Sequence, residues 1–181
     1  MPHMDAMFFK TLASRYSLAN LPPIETARLR VDGLVPADAG AIQALTDDPA
    51  ITGAVDFLPD PFTLDHARRL VGGKKPIKDR FLGVRRKDGT LLGIVGTHLR
   101  GDQAVEIGYW MGGSARGQGY GSEAVTGVVA LLRHRFPHRI IVAECRPENT
   151  ASIGLLRKVG FRDTGDEGHR PGRRIYVIEP S

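Results

Sequence analysis

Short extended runs of apolar residues, bounded by turn residues, recur along the chain and predict β-strands. Two of the longer runs are joined by Asp88-Gly89, a pair typical of a tight hairpin turn. Another run contains Ile140, Ile141 and Val142, whose β-branched side chains favour a buried strand. The predicted strands cover residues 27–31, 80–86, 91–100, 105–111, 139–144, 161–164 and 174–178.

Four other segments have the length and pattern of helices. Asp38 and Thr63 stand at the starts of two short ones, Asn149 or Thr150 caps a long one, and Gly160 ends it. The predicted helices cover residues 38–47, 63–71, 119–136 and 149–159. The resulting order, β-αα-βββ-α-β-α-ββ, fits an α/β sandwich with a mixed sheet. The length of 181 residues, without an internal repeat or linker, indicates one domain.

A glycine-rich turn, Arg-Gly-Gln-Gly-Tyr-Gly-Ser-Glu-Ala at residues 116–124, lies between a predicted strand and a predicted helix. Such a turn directs several backbone N–H groups into one space at the positive end of a helix, which suits a phosphate. A Walker loop is excluded because no Lys-Ser or Lys-Thr follows a glycine, and the glycine spacing misses the Rossmann pattern by one residue. Arg116, Gly119 and Gly121 match a third pattern, Gln/Arg-x-x-Gly-x-Gly/Ala.

This third pattern resembles the acyl-CoA loop of the GNAT acetyltransferases. Downstream, residues 149–161 contain Asn-x-x-Ser and Lys-Val-Gly-Phe, which resemble the second signature of that family. Upstream, residues 24–30 and 106–111 resemble the ribosomal-protein N-acetyltransferase (Rim-type) branch. Four ordered segments at compatible spacing are more specific than a glycine loop alone.

The resemblance implies a fold and a domain division. We expect a mixed, mostly antiparallel central sheet flanked by about four helices, with split strands that bind acyl-CoA. We also expect an N-terminal extension at residues 1–23, loose over residues 1–20, followed by a single GNAT domain at residues 24–181.

The resemblance also implies acetyl-CoA as the cosubstrate. Its pyrophosphate would sit on the turn at residues 117–122, where a Cβ at Gly119 or Gly121 would block close backbone approach and restrict φ. Its pantetheine arm would lie as an extra strand beside the one that ends at Met111, where backbone N–H groups could polarise the thioester carbonyl. The expected binding residues are Met111, Arg116, Gly117, Gln118, Gly119, Tyr120, Gly121, Ser122, Asn149 and Ser152.

The implied reaction is acetyl transfer to a primary amine, on a protein N-terminus or on a small molecule. Such amines have pKa values of about 10.4 or about 8, so a base that removes the proton assists the reaction at pH 7. Glu106 is the candidate base, because it lies among apolar neighbours and the family often places a glutamate on this strand. The structural alternative is an edge carboxylate paired with an arginine.

The sequence identifies the residue that donates a proton to the leaving thiolate less clearly than it identifies the base. Many GNAT enzymes use a tyrosine at the position that Leu156 occupies here. Ser152 is the expected hydrogen-bond donor instead, as is proposed for the Rim-type branch, with Tyr109 and Tyr120 as weaker candidates. Asn149 and Ser152 lie three residues apart at the start of a helix, and capping alone could explain Asn149.

The acceptor side is poorly encoded. Several acidic residues lie on or between the two short predicted helices and could recruit a cationic amine, or could be ordinary surface and capping residues. These residues are Asp47, Asp48, Asp56, Asp60 and Asp65. His98 could face the acceptor or be a satisfied core histidine, and Cys145 fits a buried small apolar residue.

Composition limits the other function classes. The net charge of +5 raises nucleic acid as a partner, but Arg133, His134, Arg135, His138 and Arg139 cluster at a predicted helix end without interleaved aromatic residues, so nucleic acid is not the expected partner. His134 and His138 have the i, i+4 spacing of a metal pair, but Pro137 between them should end the helix, and no other spacing of cysteine and histidine suggests zinc. No apolar run approaches the roughly 20 residues of a membrane span, and a single cysteine fits a cytoplasmic protein.

We expect a monomeric or homodimeric acyl-CoA N-acyltransferase. The alternative from another class is a non-catalytic acyl-CoA-binding or regulatory module on the same fold.

Overall fold

The computed structural model describes residues 17–72 and 77–180, which form one eight-stranded sheet with helices on both faces. The strands are β1 (Ile24–Glu25), β2 (Leu29–Gly33), β3 (Asp79–Arg86), β4 (Leu91–Arg100), β5 (Ala104–Met111), β6 (Ile140–Cys145), β7 (Arg162–Glu167) and β8 (Arg174–Ile178). The helices are α1 (Ala39–Thr46), α2 (Pro49–Thr52), α3 (Leu64–Gly72), α4 (Tyr120–Arg135) and α5 (Thr150–Val159).

The strands follow the order β1-β2-β3-β4-β5-β6-β8-β7 across the sheet. Every neighbouring pair is antiparallel except β5 and β6, which are parallel and are connected through α4. A parallel pair needs such a crossover, whereas the antiparallel pairs β1–β2, β3–β4, β4–β5 and β7–β8 are joined by short turns. The sheet is therefore mixed and mostly antiparallel, as expected from the family resemblance.

The sheet separates two apolar cores. One core packs α4 and α5 against the sheet and includes Val128 and Leu156. The other packs α1, α2 and α3 against the opposite face and includes Ile42. Side chains of a strand point alternately to the two faces, so on β5 Ile107 enters the first core and Trp110 the second. β5 thus contributes side chains to both sides of the molecule.

All the helices and strands expected from the sequence are present, with their ends shifted by a few residues at most. The sequence patterns missed β1, which has two residues and forms through pairing of Ile24 with Val31. They also missed α2, a single turn whose N-cap, Asp48, accepts a hydrogen bond from the Ala50 backbone N–H at 2.9 Å. Elements this short have no periodic pattern in the sequence. With α2, the described residues contain five α-helices instead of the expected four.

The chain before β1 is more ordered than expected. Leu18 is completely buried in the core beneath α4, and its backbone N–H donates to the carbonyl of Ile77 at 2.8 Å. The expectation of a loose segment is therefore wrong for residues 17–20, because an apolar side chain there packs against the domain. Residues 1–16 lie outside the described part of the chain.

Two features bear on partners other than small molecules. Arg139, one member of the basic cluster, is only 7% exposed and donates to the carbonyls of Gly101 and Ala104, so it supports the start of β5 instead of a charged surface. Within residues 17–72 and 77–180, no helix combines the length and apolar character that crossing a bilayer requires.

Candidate active site

β5 and β6 separate in the middle of the sheet. Their pairing stops at Ile107 and Ala143, although β5 continues to Met111 and β6 to Cys145. Beyond that point β5 pairs only with β4, and β6 only with β8. A cavity of about 630 Å³ spans this gap and is lined by residues from both faces of the sheet. The expected split between the strands is therefore present.

The glycine-rich turn forms one end of this cavity. Gly117 and Gly119 have φ angles of +73° and +78°, in the left-handed region that a Cβ disfavours. Gly119 is the N-cap of α4, so the first turn of that helix carries backbone N–H groups without partners inside the helix. The turn therefore presents N–H donors and the positive helix end to the cavity, which fits a pyrophosphate.

Gly121 is required for a different reason than expected. Its φ does not lie in the left-handed region, so the expected restriction of φ applies to Gly119 but not to Gly121. A Cβ on Gly121 would lie 3.0 Å from Leu155 Cδ1 and 3.5 Å from Met111 Cγ. Gly121 thus allows α4 to approach both α5 and the end of β5.

A set of side chains that we call the loop clamp, consisting of Thr26, Arg28 and Glu123, fixes the turn to the edge of the sheet. Glu123 accepts hydrogen bonds from Thr26 Oγ1 at 2.6 Å, the Arg28 backbone N–H at 2.8 Å and Arg28 Nε at 2.6 Å. Arg28 Nη1 also donates to the Gln118 carbonyl at 2.9 Å. Burial alone would raise the pKa of Glu123, but these donors outweigh it and lower the pKa below its usual range. Sequence analysis noted residues 24–30 only as a resemblance and missed this role.

The predicted acetyl-CoA-binding residues line the cavity, except for Gln118 and Tyr120. The Gln118 side chain donates to the Ser114 carbonyl at 2.6 Å, and the Tyr120 ring lies under the Arg28 guanidinium, 4.5 Å from its carbon. These two side chains therefore stabilise the turn on the side that does not line the cavity. Arg116 does line the cavity, and its guanidinium donates to the Met111 carbonyl at 3.1 Å and to Asp48 Oδ2 at 2.8 Å.

Ser152 lies where the split opens. The Asn149 side chain caps α5 by accepting the Ser152 backbone N–H at 3.1 Å, so the capping role proposed for Asn149 is confirmed. The Ser152 hydroxyl is hydrogen-bonded to the Tyr109 hydroxyl at 2.8 Å, and burial raises the pKa of Tyr109 above its usual range. Two hydroxyl groups therefore meet beside the cavity, which Leu156 also lines although it is buried in the core.

Glu106 lies on the opposite face of β5 from Tyr109, and it lines the cavity although it is only 6% exposed. Its Oε2 accepts a hydrogen bond from Arg100 Nε at 2.6 Å, and its Oε1 accepts one from Arg170 Nη2. The structural alternative, a carboxylate paired with arginine, is therefore present. Each carboxylate oxygen has two lone pairs, so both oxygens retain capacity for a further hydrogen bond.

Arg170 connects Glu106 to a second buried carboxylate, that of Glu144 at the end of β6. Glu144 is 1% exposed and accepts hydrogen bonds from Arg170 Nε at 2.8 Å and from the His169 backbone N–H at 2.8 Å. Burial alone would raise the pKa of Glu144, but these donors outweigh it and lower the pKa. Arg170 is a site residue that sequence analysis missed, since it lies in the turn between β7 and β8, which has no recognisable pattern.

The acidic residues between α1 and α3 do not form a free anionic wall. Of the five, only Asp56 lines the cavity, and it is paired with Arg146 at 2.7 Å and Arg173 at 3.0 Å. The hydrogen bond from Arg173 is the main cause that lowers the pKa of Asp56 to about 2. Asp47 instead accepts the Phe62 backbone N–H at 2.9 Å. The capping role is therefore confirmed for Asp48, whereas the Asp47 side chain holds the loop at Phe62, and recruitment of a cation by five free acids is not supported.

His98 and Cys145 also line the cavity. His98 is hydrogen-bonded through Nδ1 to Asp79 at 2.8 Å and stands opposite Glu106 on the neighbouring strand, so it is satisfied and lies on the same face of the sheet as Glu106. Cys145 is a buried free thiol whose pKa is raised by burial, in agreement with the expected apolar role. Among the described residues, no group of three or more metal-ligating side chains is arranged around a possible ion.

Comparison with known proteins places this geometry in a family. Residues 28–162 match the sequence profile described as "Acetyltransferase (GNAT) domain". The chain is 31% identical over 149 residues to the uncharacterized N-acetyltransferase YnaD of Bacillus subtilis (strain 168), a match that covers 78% of this chain and 84% of YnaD.

Two similar solved structures are acetyltransferases with coenzyme A or acetyl-CoA bound. The ribosomal L7/L12 alpha-N-protein acetyltransferase RimL in complex with coenzyme A superposes with a TM-score of 0.76 and 18% identity, covering 88% of this chain and 98% of RimL. The microcin C7 self immunity acetyltransferase MccE in complex with acetyl-CoA and AMP has a TM-score of 0.73 and 16% identity, covering 85% of this chain and 93% of the MccE chain. At these identities the likeness shows the fold.

Proposed function

Because the chain belongs to the GNAT family of acetyl-CoA-dependent acetyltransferases, we propose that it transfers the acetyl group to a primary amine by direct attack, with Glu106 as the base. One observation carries this proposal. A single cavity spans the gap between β5 and β6 and brings Glu106, on one face of the sheet, into the same space as the glycine-rich turn and Ser152. A donor bound on one side is thus within reach of an acceptor on the other.

In the proposed step the amine nitrogen attacks the thioester carbonyl carbon, a C–N bond forms and the C–S bond breaks. The attacking amine must lose a proton, and an alkyl ammonium with a pKa of about 10.4 is almost fully protonated at pH 7. Glu106 takes that proton, directly or through a water molecule, using a lone pair that Arg100 and Arg170 do not occupy. The two arginines fix the carboxylate in one orientation, which favours proton transfer by reducing the reorganisation it requires.

The leaving group is the thiolate of coenzyme A, whose pKa is near that of an ordinary thiol, about 8.5. A hydrogen bond is sufficient to stabilise such a leaving group, so a strong acid is unnecessary. We assign this donor role to Ser152, with the Tyr109 hydroxyl as its hydrogen-bonded partner at 2.8 Å. Leu156 is 1% exposed and holds the place of the family tyrosine through packing alone.

The acceptor is a primary amine, on a protein N-terminus or on a small molecule. RimL is described as acting on a ribosomal protein and MccE as conferring immunity to a microcin. The two names describe different biological roles on the same fold, and the fold alone does not choose the acceptor.

The second candidate is a non-catalytic acyl-CoA-binding module. It is favoured by one observation, namely that both oxygens of Glu106 are engaged by arginines. The two candidates differ in turnover but not in binding.

The test measures thiol release from acetyl-CoA with a panel of primary amines, beside calorimetric titration of acetyl-CoA into the same protein. The acetyltransferase proposal predicts binding and amine-dependent thiol release. Binding without release for every amine, free or at a peptide N-terminus, supports the module instead.

A further inference from the structure

Two glycines face each other on the acceptor side of the sheet. Gly96 of β4 and Gly108 of β5 are cross-strand partners, and Gly108 is the first residue of β5 beyond its pairing with β6. A Cβ on Gly108 would have no atom within 4 Å, whereas one on Gly96 would meet His98 Nε2 at 2.9 Å and Phe81 Cε1 at 3.0 Å. The space above Gly108 is therefore an open slot beside the strand split, and both glycines line the cavity.

One wall of this slot is aromatic. Phe57, Phe81 and Trp110 line the cavity together, with ring centroids 5.9 Å apart for Phe57 and Phe81 and 6.0 Å apart for Phe57 and Trp110. Phe57 is 51% exposed, which is unusual for a phenylalanine that already contacts two other rings. Its exposed face is an apolar surface that a ligand could cover.

The loop that carries Phe57 is held in place. The neighbouring residue, Asp56, is paired with Arg146 and Arg173, and Arg173 also donates to the Ala54 carbonyl at 2.8 Å. A fixed, exposed ring loses little conformational freedom when a ligand packs on it, so its burial contributes more fully to binding.

Charged and polar side chains lie directly beside the aromatic rings, with the His98 ring 5.5 Å from the Phe81 ring, and their charges are compensated. Glu106 is paired with Arg100 and Arg170, and His98 is paired with Asp79. Compensated charges offer little net attraction to a polycation, which leaves the aromatic wall as the feature that distinguishes one amine from another.

We propose that this slot receives a flat apolar group that the acceptor carries close to its reacting amine, and that Gly108 sets the size of the group. This inference rests on the proposed function, because it assigns the acceptor class of the same site. The flat group would pack on Phe57 and cross the glycine pair, and the amine would then lie between Glu106 and the strand split. The group could belong to a free amine or to the first residue of a peptide.

The test compares acceptors that differ only in this group. Tyramine is measured against ethanolamine, and a peptide with N-terminal phenylalanine against the same peptide with N-terminal alanine. We expect kcat/KM to be higher by about 10-fold or more for the aromatic member of at least one pair. A change of this size corresponds to the free energy gained when one face of an aromatic ring is buried. The pair that shows the preference identifies the source of the group.

Three variants locate the preference. Phe57→Ala should reduce the ratio of kcat/KM for the aromatic acceptor to kcat/KM for its non-aromatic counterpart to within about 3-fold of unity. Val35→Ala removes an equally exposed apolar side chain outside the cavity and should leave this ratio unchanged. Gly108→Ala should reduce kcat/KM for the aromatic acceptors and Gly108→Val should reduce it further, with acetyl-CoA affinity retained. Gly40→Ala, at another open glycine, is the control for the mutation itself.

The outcomes separate this inference from the function on which it rests. Equal rates within both pairs, or an aromatic preference that survives Phe57→Ala, overturns the inference and leaves the acetyltransferase proposal standing. Failure of the wild-type protein to acetylate any amine overturns the proposed function and the inference together. If Gly108→Val does not fold, Gly108→Ala and Phe57→Ala still decide the question.

Discussion

The two sides of the strand split are built by different means. On the donor side, the proposed binding surface consists mainly of backbone. Gly117 and Gly119 adopt left-handed φ angles, and the start of α4 supplies N–H groups. On the acceptor side, the proposed binding surface is formed by side chains from separate loops, because Arg170 contacts Glu106 and Arg173 contacts Asp56. On the proposed assignment, the donor side combines a local glycine turn with the distant contacts of the loop clamp, whereas the acceptor side depends on distant contacts alone.

The largest effect should come from the acceptor side. Glu106→Gln keeps the shape of the side chain but removes the proposed base, so we expect kcat/KM for the amine to fall by about 10²–10⁴-fold. The KM for acetyl-CoA should change little. Steady-state thiol release measures kcat/KM for the amine and KM for acetyl-CoA. The control is Glu148→Gln, because Glu148 is an exposed carboxylate outside the cavity. An unchanged rate would remove Glu106 as the base.

The next effect lies at the boundary between the two sides. Ser152→Ala removes the hydroxyl that we expect to stabilise the leaving thiolate, and a hydrogen bond to a charged group corresponds to about 10–100-fold in kcat. Tyr109→Phe keeps the ring and removes only the hydroxyl that is bonded to Ser152. A larger loss in Tyr109→Phe than in Ser152→Ala would make the tyrosine the donor.

A smaller effect should come from the loop clamp on the donor side. Arg28→Met removes the guanidinium that joins Glu123 to the Gln118 carbonyl, so the turn loses part of its support. We expect the KM for acetyl-CoA to rise by about 10-fold at nearly constant kcat, since the ion pair is partly exposed. Arg30→Met is the matched control, because Arg30 is an equally exposed arginine two residues away whose partners are Glu25 and Asp32. A similar KM in both variants would contradict the role of the clamp.

The smallest effect concerns stability and pH. The pKa of Asp56 is lowered to about 2 by Arg173 and Arg146, from about 3.9 in an unfolded chain. Its ion pairs therefore stabilise the native state above about pH 4, and this contribution is lost as the pH falls towards 2. The Tm difference between the wild type and Asp56→Asn should be largest above about pH 4 and disappear near pH 2. Asp102→Asn, in the exposed turn before β5, should show no such trend.

The same contrast explains which parts of the molecule the sequence predicted. The glycine turn and the Asn149 cap are local, since each depends on residues within a few positions of one another, and both were found. Glu106 was selected as a candidate because its strand resembles a family segment, but its partner Arg170 lies 64 residues away in a turn without a pattern. Leu18 was missed for a related reason: its burial depends on the tertiary packing of a segment that no periodicity marks.

We propose that the donor and acceptor sides act independently in catalysis, although the Arg116–Asp48 ion pair links them beside the strand split. A double-mutant cycle with Arg28→Met and Glu106→Gln tests it most directly, because the two residues share no partner in the structure. If the sides are independent, the fold-loss in kcat/KM of the double variant equals the product of the two single losses to within about 2-fold. A double variant that is no slower than Glu106→Gln alone would show that the two sides act as one unit and would contradict the account.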